Sequence, residues 1–251
     1  MDLTEYERIQ PQMQAEFEGR AVTFSTPNQH TAWRVKTLYT KEPDTIAWLR
    51  GFSPEDVLVD VGANVGMYSI LAGTRGARVY AFEPESQNYA LLNRNIYLNR
   101  LGDRVAAYCV AIADTEGFSH LYLSEFMPGS SCHNFGEAID FRYRPLKPGF
   151  TQGALSTTLD LLVERGTIPV PTRLKIDVDG IEPKVIAGAR AVLANPALTS
   201  VLIELNTNLE DHWEVVDQML NAGFDYSEEE AKRAQRTEGA FKGVGNYVFR
   251  R

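Results

Sequence analysis

Two cysteines in 251 residues, Cys109 and Cys132, are too few for a disulfide framework. Reduced thiols and a cytoplasmic setting are therefore expected. Cys109 lies in an apolar run and reads as core, whereas Cys132 lies in a polar loop. There is no apolar run of the ~18 residues that a membrane-spanning helix needs. The opening M-D-L-T-E-Y-E-R has neither a basic start nor an apolar centre, so no secretory signal is expected there. Long runs of Lys and Arg are missing and the net charge is −8, which argues against nucleic acid as a partner. Internal repeats and low-complexity segments are missing too. The dinucleotide fingerprint G-x-G-x-x-G is absent, which disfavours a dehydrogenase. What remains is an ordinary globular composition, 44% hydrophobic and 23% charged, in a chain long enough for one complete core.

The chain is organised around residues 57–85. V-L-V-D-V is a β-branched apolar run that ends in G-A-N-V-G, so it reads as a buried parallel strand entering a tight turn. Gly62 and Gly66 bracket that turn, with Ala63 and Asn64 inside it, where backbone must pass close to a ligand. A helix is expected from Met67, then a second strand, R-V-Y-A-F, with Glu83 and Pro84 just past its end. Strand, glycine turn, helix, strand and acid form one half of a nucleotide-binding α/β fold. The spacing Gly62-x-Asn64-x-Gly66 does not suit a pyrophosphate. S-adenosylmethionine has no phosphate, and it fits the acids that flank the turn. Asp60 could face its amino group or sulfonium side, and Glu83 could accept both ribose hydroxyls.

Along the chain, residues 1–20 read as a short helix or loose arm, and 21–39 as a hairpin or irregular cover. Pro43 opens a helix that stops at Gly51. Lys41 and Glu42 just before it could reach the methionine end of the cofactor, but a solvated helix start is the favoured reading. A helix follows Ser86, and a third strand is expected over 105–113, ending at Ala113 and Asp114. Asp114 could meet the exocyclic amine of adenine or simply form a surface turn. Segment 124–153 is long, irregular and rich in Gly and Pro, and reads as a lid over the substrate. Helices are expected over 157–166, 183–194 and 211–222, and strands over 173–178 and 200–205. Residues 224–227 and 247–249 could form a closing pair, with a solvated charge run between them. One domain, 1–251, is expected, with 1–50 as arm and cover and 51–251 as the catalytic core.

Ligands in such sheets bind beyond the carboxyl ends of the strands. Transfer of a methyl group to a hydroxyl needs in-line positioning and a group to take the proton. Asp177, in D-V-D-G-I-E, and His133, in the lid, are the candidate bases, with Asp179 beside them. His30, His120 and His212 have no clustered partners and read as structural. Asp177, Glu204 and Asn206 offer oxygens that would suit Mg²⁺. Separate hydrogen-bonding acids with no metal are the expectation.

Together these motifs resemble the FkbM family of S-adenosylmethionine-dependent methyltransferases. The resemblance rests on K-E-P-D-T, V-D-V-G-A-N-V-G, A-F-E-P, G-S-S, T-T-L-D, K-I-D-V-D-G-I-E and V-L-I-E-L, in the family's order across about 40–205. The family usually has Glu where this chain has Asp179, which shortens a contact there. The resemblance implies an α/β, Rossmann-like seven-stranded methyltransferase fold. The sheet would be mostly parallel with an antiparallel closing strand, and would carry helices on both faces. It also implies O-methylation of a small-molecule hydroxyl, on a sugar or a secondary metabolite. A homodimer is compatible with this reading. An N-methyltransferase is disfavoured because D-V-D-G stands where N-P-P-Y or D-P-P-Y would be. A catalytically inactive cofactor-binding scaffold is disfavoured by the intact glycine turn and Glu83.

Overall fold

The computed structural model describes residues 2–251, Glu7 by its backbone alone. In chain order the elements are α1 (Leu3–Arg8), β1 (Gln12–Phe17), β2 (Arg20–Ser25), α2 (Gln29–Lys36), α3 (Pro43–Arg50), β3 (Val57–Val61), α4 (Met67–Arg75), β4 (Arg78–Phe82) and α5 (Ser86–Leu98). Then come β5 (Val105–Tyr108), β6 (Ala111–Ile112), β7 (Gly117–Leu123), β8 (Asn134–Phe135), β9 (Phe150–Thr157), α6 (Leu159–Glu164), β10 (Arg173–Ile176), α7 (Glu182–Ala187) and α8 (Arg190–Ala194). The chain closes with β11 (Ser200–Asn206), α9 (Glu210–Asn221), β12 (Asp225–Tyr226), α10 (Glu228–Ala234) and β13 (Val244–Arg250).

Seven strands form the main sheet in the order β12-β13-β11-β10-β3-β4-β5. The strands from β11 to β5 pair in parallel, and β13 runs antiparallel between β11 and β12. Every residue of β11 is buried, as expected of a strand covered on both faces. Residues alternate between two cores: Leu58, Val79 and Leu202 face one side, and Val59, Val61 and Ile203 the other. From β3 the chain order runs outward to β5 on one side, and from β10 to β11 on the other. The crevice between β3 and β10 is therefore a topological switch point, where ligands bind.

Several expectations are corrected. The hairpin lies earlier than 21–39, because Glu18 and Gly19 both take positive φ and close β1 onto β2. Most of the segment after it is α2, capped by Asn28 and Thr31. The third strand does not continue to Ala113. It leaves the main sheet after Tyr108, Cys109 is exposed rather than core, and β6 joins β9 in a second sheet of order β6-β9-β7-β8. That sheet takes in only Asn134–Phe135 and the start of β9 from 124–153, so 124–133 and 136–149 are irregular, as expected. The helix over 183–194 breaks at Gly188, where an added Cβ would lie 2.2 Å from the Ala113 carbonyl oxygen. Among the described residues no helix is long and apolar enough to cross a membrane.

Candidate active site

The turn after β3 is held by its neighbours. The amides of Gly62 and Ala63 donate to the Phe82 carbonyl at 2.9 and 3.0 Å. Gly62 has φ +77, and a Cβ there would lie 1.9 Å from the Asp177 carbonyl oxygen. Glycine is therefore required by the close approach of β10's end, not by the space of a ligand. Asn64, at φ +52, donates its amide to Glu83 Oε2 at 2.7 Å. Gly66 packs on Leu92 of α5 and lines no cavity of the site.

Three cavities meet at this turn, and all three are lined by Gly62, Asn64 and Asp177. The first, of about 540 Å³, has Phe82, Val110 and Ile112 as apolar walls, with Glu83, Pro84 and His133 also lining it. The second, of about 450 Å³, carries Arg34, Lys41, Glu42, Tyr68 and Lys175, with Ala63 beside them. The third, of about 990 Å³, opens between Trp33 and Phe241 and is lined by Asp179, Glu204 and Arg236.

In the first cavity, Glu83 accepts from the amides of Asn64 and Glu85 at 2.7 and 2.9 Å. Burial nevertheless pushes its carboxyl up to about 7, against the pull of those amides. Asp114 is exposed, Ala113 is buried, and neither lines the cavity. Their place is taken by Val110, Ala111 and Ile112, because the chain leaves the main sheet before them. His133 lines the first cavity and not the third. Its Nδ1 accepts from the Ser124 amide at 3.3 Å, and its buried Nε2 has no hydrogen-bond partner among the described residues. Burial, helped by the Arg34 cation, lowers its pKa to about 4, so the ring is neutral and weakly basic.

In the second cavity the sequence-based reading of Lys41 and Glu42 is overturned. Glu42 is buried, ion-paired to Lys41 at 2.7 Å. Burial alone would raise its pKa, but the Lys41 and Lys175 cations outweigh it and lower it to about 2. Lys175, only 2% exposed, lies 2.9 Å from Asp177 and 3.9 Å from Asp60. Burial disfavours its charge, yet Asp177, Asp60 and Glu42 hold it above the ordinary lysine value. Asp60 also accepts from Ser69 Oγ at 2.5 Å and lines none of the three cavities. It is a buried counter-ion beneath the site rather than a group facing a ligand.

In the third cavity, oxygens of Asp177, Asp179 and Glu204 lie within 4.8 Å of one another. Asn206 does not line this cavity, and its side chain is engaged elsewhere. Its Nδ2 donates to the Phe141 carbonyl, and its Oδ1 accepts from Asn208. Asp179, at φ +57, accepts from the Cys132 amide at 2.7 Å. Glu204 is ion-paired with Arg236 at 2.9 Å. Arg34, Tyr68, Lys175 and Arg236 escaped the sequence reading. Only Lys175 left a signal there: a lysine inside an apolar strand, two residues from Asp177 and thus on the same face.

The fold is of the Rossmann-like class, with the three cavities at its switch point. Residues 60–226 match the methyltransferase FkbM domain, and the chain belongs to that family. It is 26% identical over 205 residues to the hexuronic acid methyltransferase AglP of Haloferax volcanii, covering 80% of this chain and 77% of that one. It is 31% identical over 160 residues to the 31-O-demethyl-FK506 methyltransferase FkbM of Streptomyces tacrolimicus, covering 54% of this chain and 60% of that one. The crystal structure of methyltransferase FkbM from Methylobacillus flagellatus KT superposes with a TM-score of 0.54 at 16% identity. That match covers 89% of this chain and 55% of the other, and it speaks to the fold alone.

Proposed function

We propose that this chain is an S-adenosylmethionine-dependent O-methyltransferase acting on a hydroxyl of a small molecule, such as a sugar or a secondary metabolite. The observation that carries this reading is the convergence of three cavities on Gly62, Asn64 and Asp177. Their chemistries fit the three parts of the reaction. Apolar Phe82, Val110 and Ile112 suit an adenine, and Glu83 suits a ribose diol. The mixed charges of Arg34, Lys41, Glu42 and Asp177 suit an aminocarboxylate. The larger cleft, with aromatic Trp33 and Phe241 at its sides, is left for the acceptor.

When bound, the cofactor would supply an electrophilic methyl group on a sulfonium sulfur. The protein's own part is to hold the acceptor oxygen in line with that methyl, exclude water and take up a proton. The acids at the inner end of the large cleft are placed to take it. Asp177 is ion-paired to Lys175 and Glu204 to Arg236, so two of these acids already have cationic partners and the reading calls on no metal. The names of the two curated relatives support a small acceptor, a hexuronic acid in one and a demethylated FK506 in the other.

The test is transfer of labelled methyl from the cofactor to a panel of uronic acids, neutral sugars, phenols and amines. Label in an alkali-stable methyl ether is expected. Label only in amines, or cofactor binding with no transfer to any acceptor, would contradict the proposal.

A further inference from the structure

We propose that Glu204 is the general base, the group that takes the proton of the acceptor hydroxyl, and that Asp177 is a fixed counter-ion at the transfer point. The inference rests on the O-methyltransferase reading. It departs from the sequence, which put Asp177 first.

The cavities separate the three acids. Asp177 and Asp179 line both the first cavity and the large cleft, so both border the space assigned to cofactor. Glu204 lines the large cleft but neither of the two cofactor cavities. A base must touch the acceptor, and Glu204 is the member of the cluster that borders the large cleft, and a smaller cavity beside Glu182 and His212, without bordering either cofactor cavity. Its Oε1 is taken by Arg236 at 2.9 Å. No other hydrogen bond to its side chain is present among the described residues, so Oε2 is available to a ligand.

The counter-ions separate them again. Asp177 is tied to Lys175, which is 2% exposed. A proton on Asp177 would strip that buried cation of its nearest partner, a costly outcome. Asp177 is therefore committed to Lys175 as its counter-ion. Glu204 is paired instead with Arg236, which is 27% exposed and lies over the Phe241 ring. Water can solvate Arg236 when Glu204 becomes neutral. Asp179 is held by the Cys132 amide in a left-handed bend.

The groups around Glu204 also favour proton uptake. Asp177 and Asp179 face it from the loop after β10, and Glu42 from the start of α3. Glu182 of α7, Lys41 and Cys132 are also within electrostatic reach. Burial raises the Glu204 carboxyl most, Asp177 adds to this, and Arg236 opposes it, leaving it at about 8. In the step itself the acceptor oxygen forms a bond to the methyl carbon. Its O–H bond breaks and the proton goes to Glu204 Oε2. The C–S bond breaks and its electron pair stays on sulfur.

The experiment compares wild type, Glu204→Gln, Glu204→Asp, Asp177→Asn and Arg236→Met, in kcat and KM against pH and in cofactor binding by calorimetry. Wild-type kcat/KM should rise with pH through an apparent pKa near 8. Glu204→Gln should lower kcat by about 10²-fold or more and abolish the rising limb, with cofactor affinity unchanged. Glu204→Asp should recover part of the rate. Arg236→Met should move the limb to higher pH, and Asp177→Asn should move it to lower pH without removing it. Carboxyl ¹³C NMR of the free protein should show Glu204 titrating near 8. If Glu204→Gln keeps the limb, or Asp177→Asn abolishes it, the assignment is overturned. So it is if Glu204 titrates at an ordinary carboxyl value. Absence of transfer by wild type would instead overturn the proposed function, and this role with it.

Discussion

The side-chain amide of Asn64 donates to the Ser130 carbonyl at 2.8 Å, joining the glycine turn to the segment that covers it. Asn88 reaches the same carbonyl at 3.1 Å and accepts from the Gly129 amide at 2.7 Å. Arg34 and Asn28 hold the carbonyls of Gly129 and Pro128, each at 2.8 Å. The cover is thus tied at G-S-S to α2, α5 and the turn. Replacing Asn64 by Gly keeps the positive φ and removes the tether. The expected result is faster hydrogen exchange at the Gly129 amide and a loss of cofactor affinity of up to about tenfold, the range of one hydrogen bond. Unchanged exchange would show that the tether does not order the cover.

Gly62→Ala tests the close approach of the turn to β10. An added Cβ meets backbone, which cannot swing away as a side chain can, at a position with φ +77. The variant should lose at least about 1–2 kcal/mol of stability from the left-handed conformation alone, together with cofactor binding. Urea unfolding and calorimetry measure both. A stable variant that merely fails to bind would mean that the glycine makes room for ligand instead.

Glu83 links cofactor affinity to pH. Its carboxyl lies at about 7, and in the proposed complex only the ionised form would accept from both ribose hydroxyls. Affinity should therefore be full above that value and fall by up to about tenfold per unit below it. Glu83→Gln should bind weakly and without this pH dependence. Calorimetry at a series of pH values checks the slope, and a flat wild-type profile would remove Glu83 from the ribose.

His133 should be read through stability. Its pKa is lowered from 6.5 to about 4 in the folded chain, so between those values the unfolded chain binds the extra proton. The stabilising contribution is complete above 6.5 and is lost as pH falls toward 4. His133→Gln should flatten unfolding free energy against pH in that window. Equal slopes in both proteins would count against a buried neutral ring.

The parts of the fold legible in sequence were those with local signals. The run 57–85 contains its own strand, glycine turn and acid, and it stands where expected at the switch point. The site's cations were not legible, because their meaning depends on distant partners. Arg236 sits at the end of a charge run that reads as solvated, yet it reaches Glu204 across 32 residues. Glu42 precedes an exposed-looking helix start, but it is buried by Tyr68, Lys175 and the hydrogen-bonding side chain of Asn246. Asp60 and Asp177 look equivalent as strand-end acids. Only the burial of Lys175 between them shows that one lies beneath the site and the other in it.

The most direct test of the account is titration of S-adenosylmethionine into the protein, in parallel with Glu83→Gln and an untouched surface variant such as Lys232→Gln. One cofactor per chain should bind to wild type and to the surface variant alike. Affinity should drop by about ten- to a hundredfold when the charged acceptor of two hydrogen bonds is lost. An absence of heat in wild type, or equal affinity in all three proteins, would contradict the placement of the cofactor across Gly62, Asn64 and Asp177.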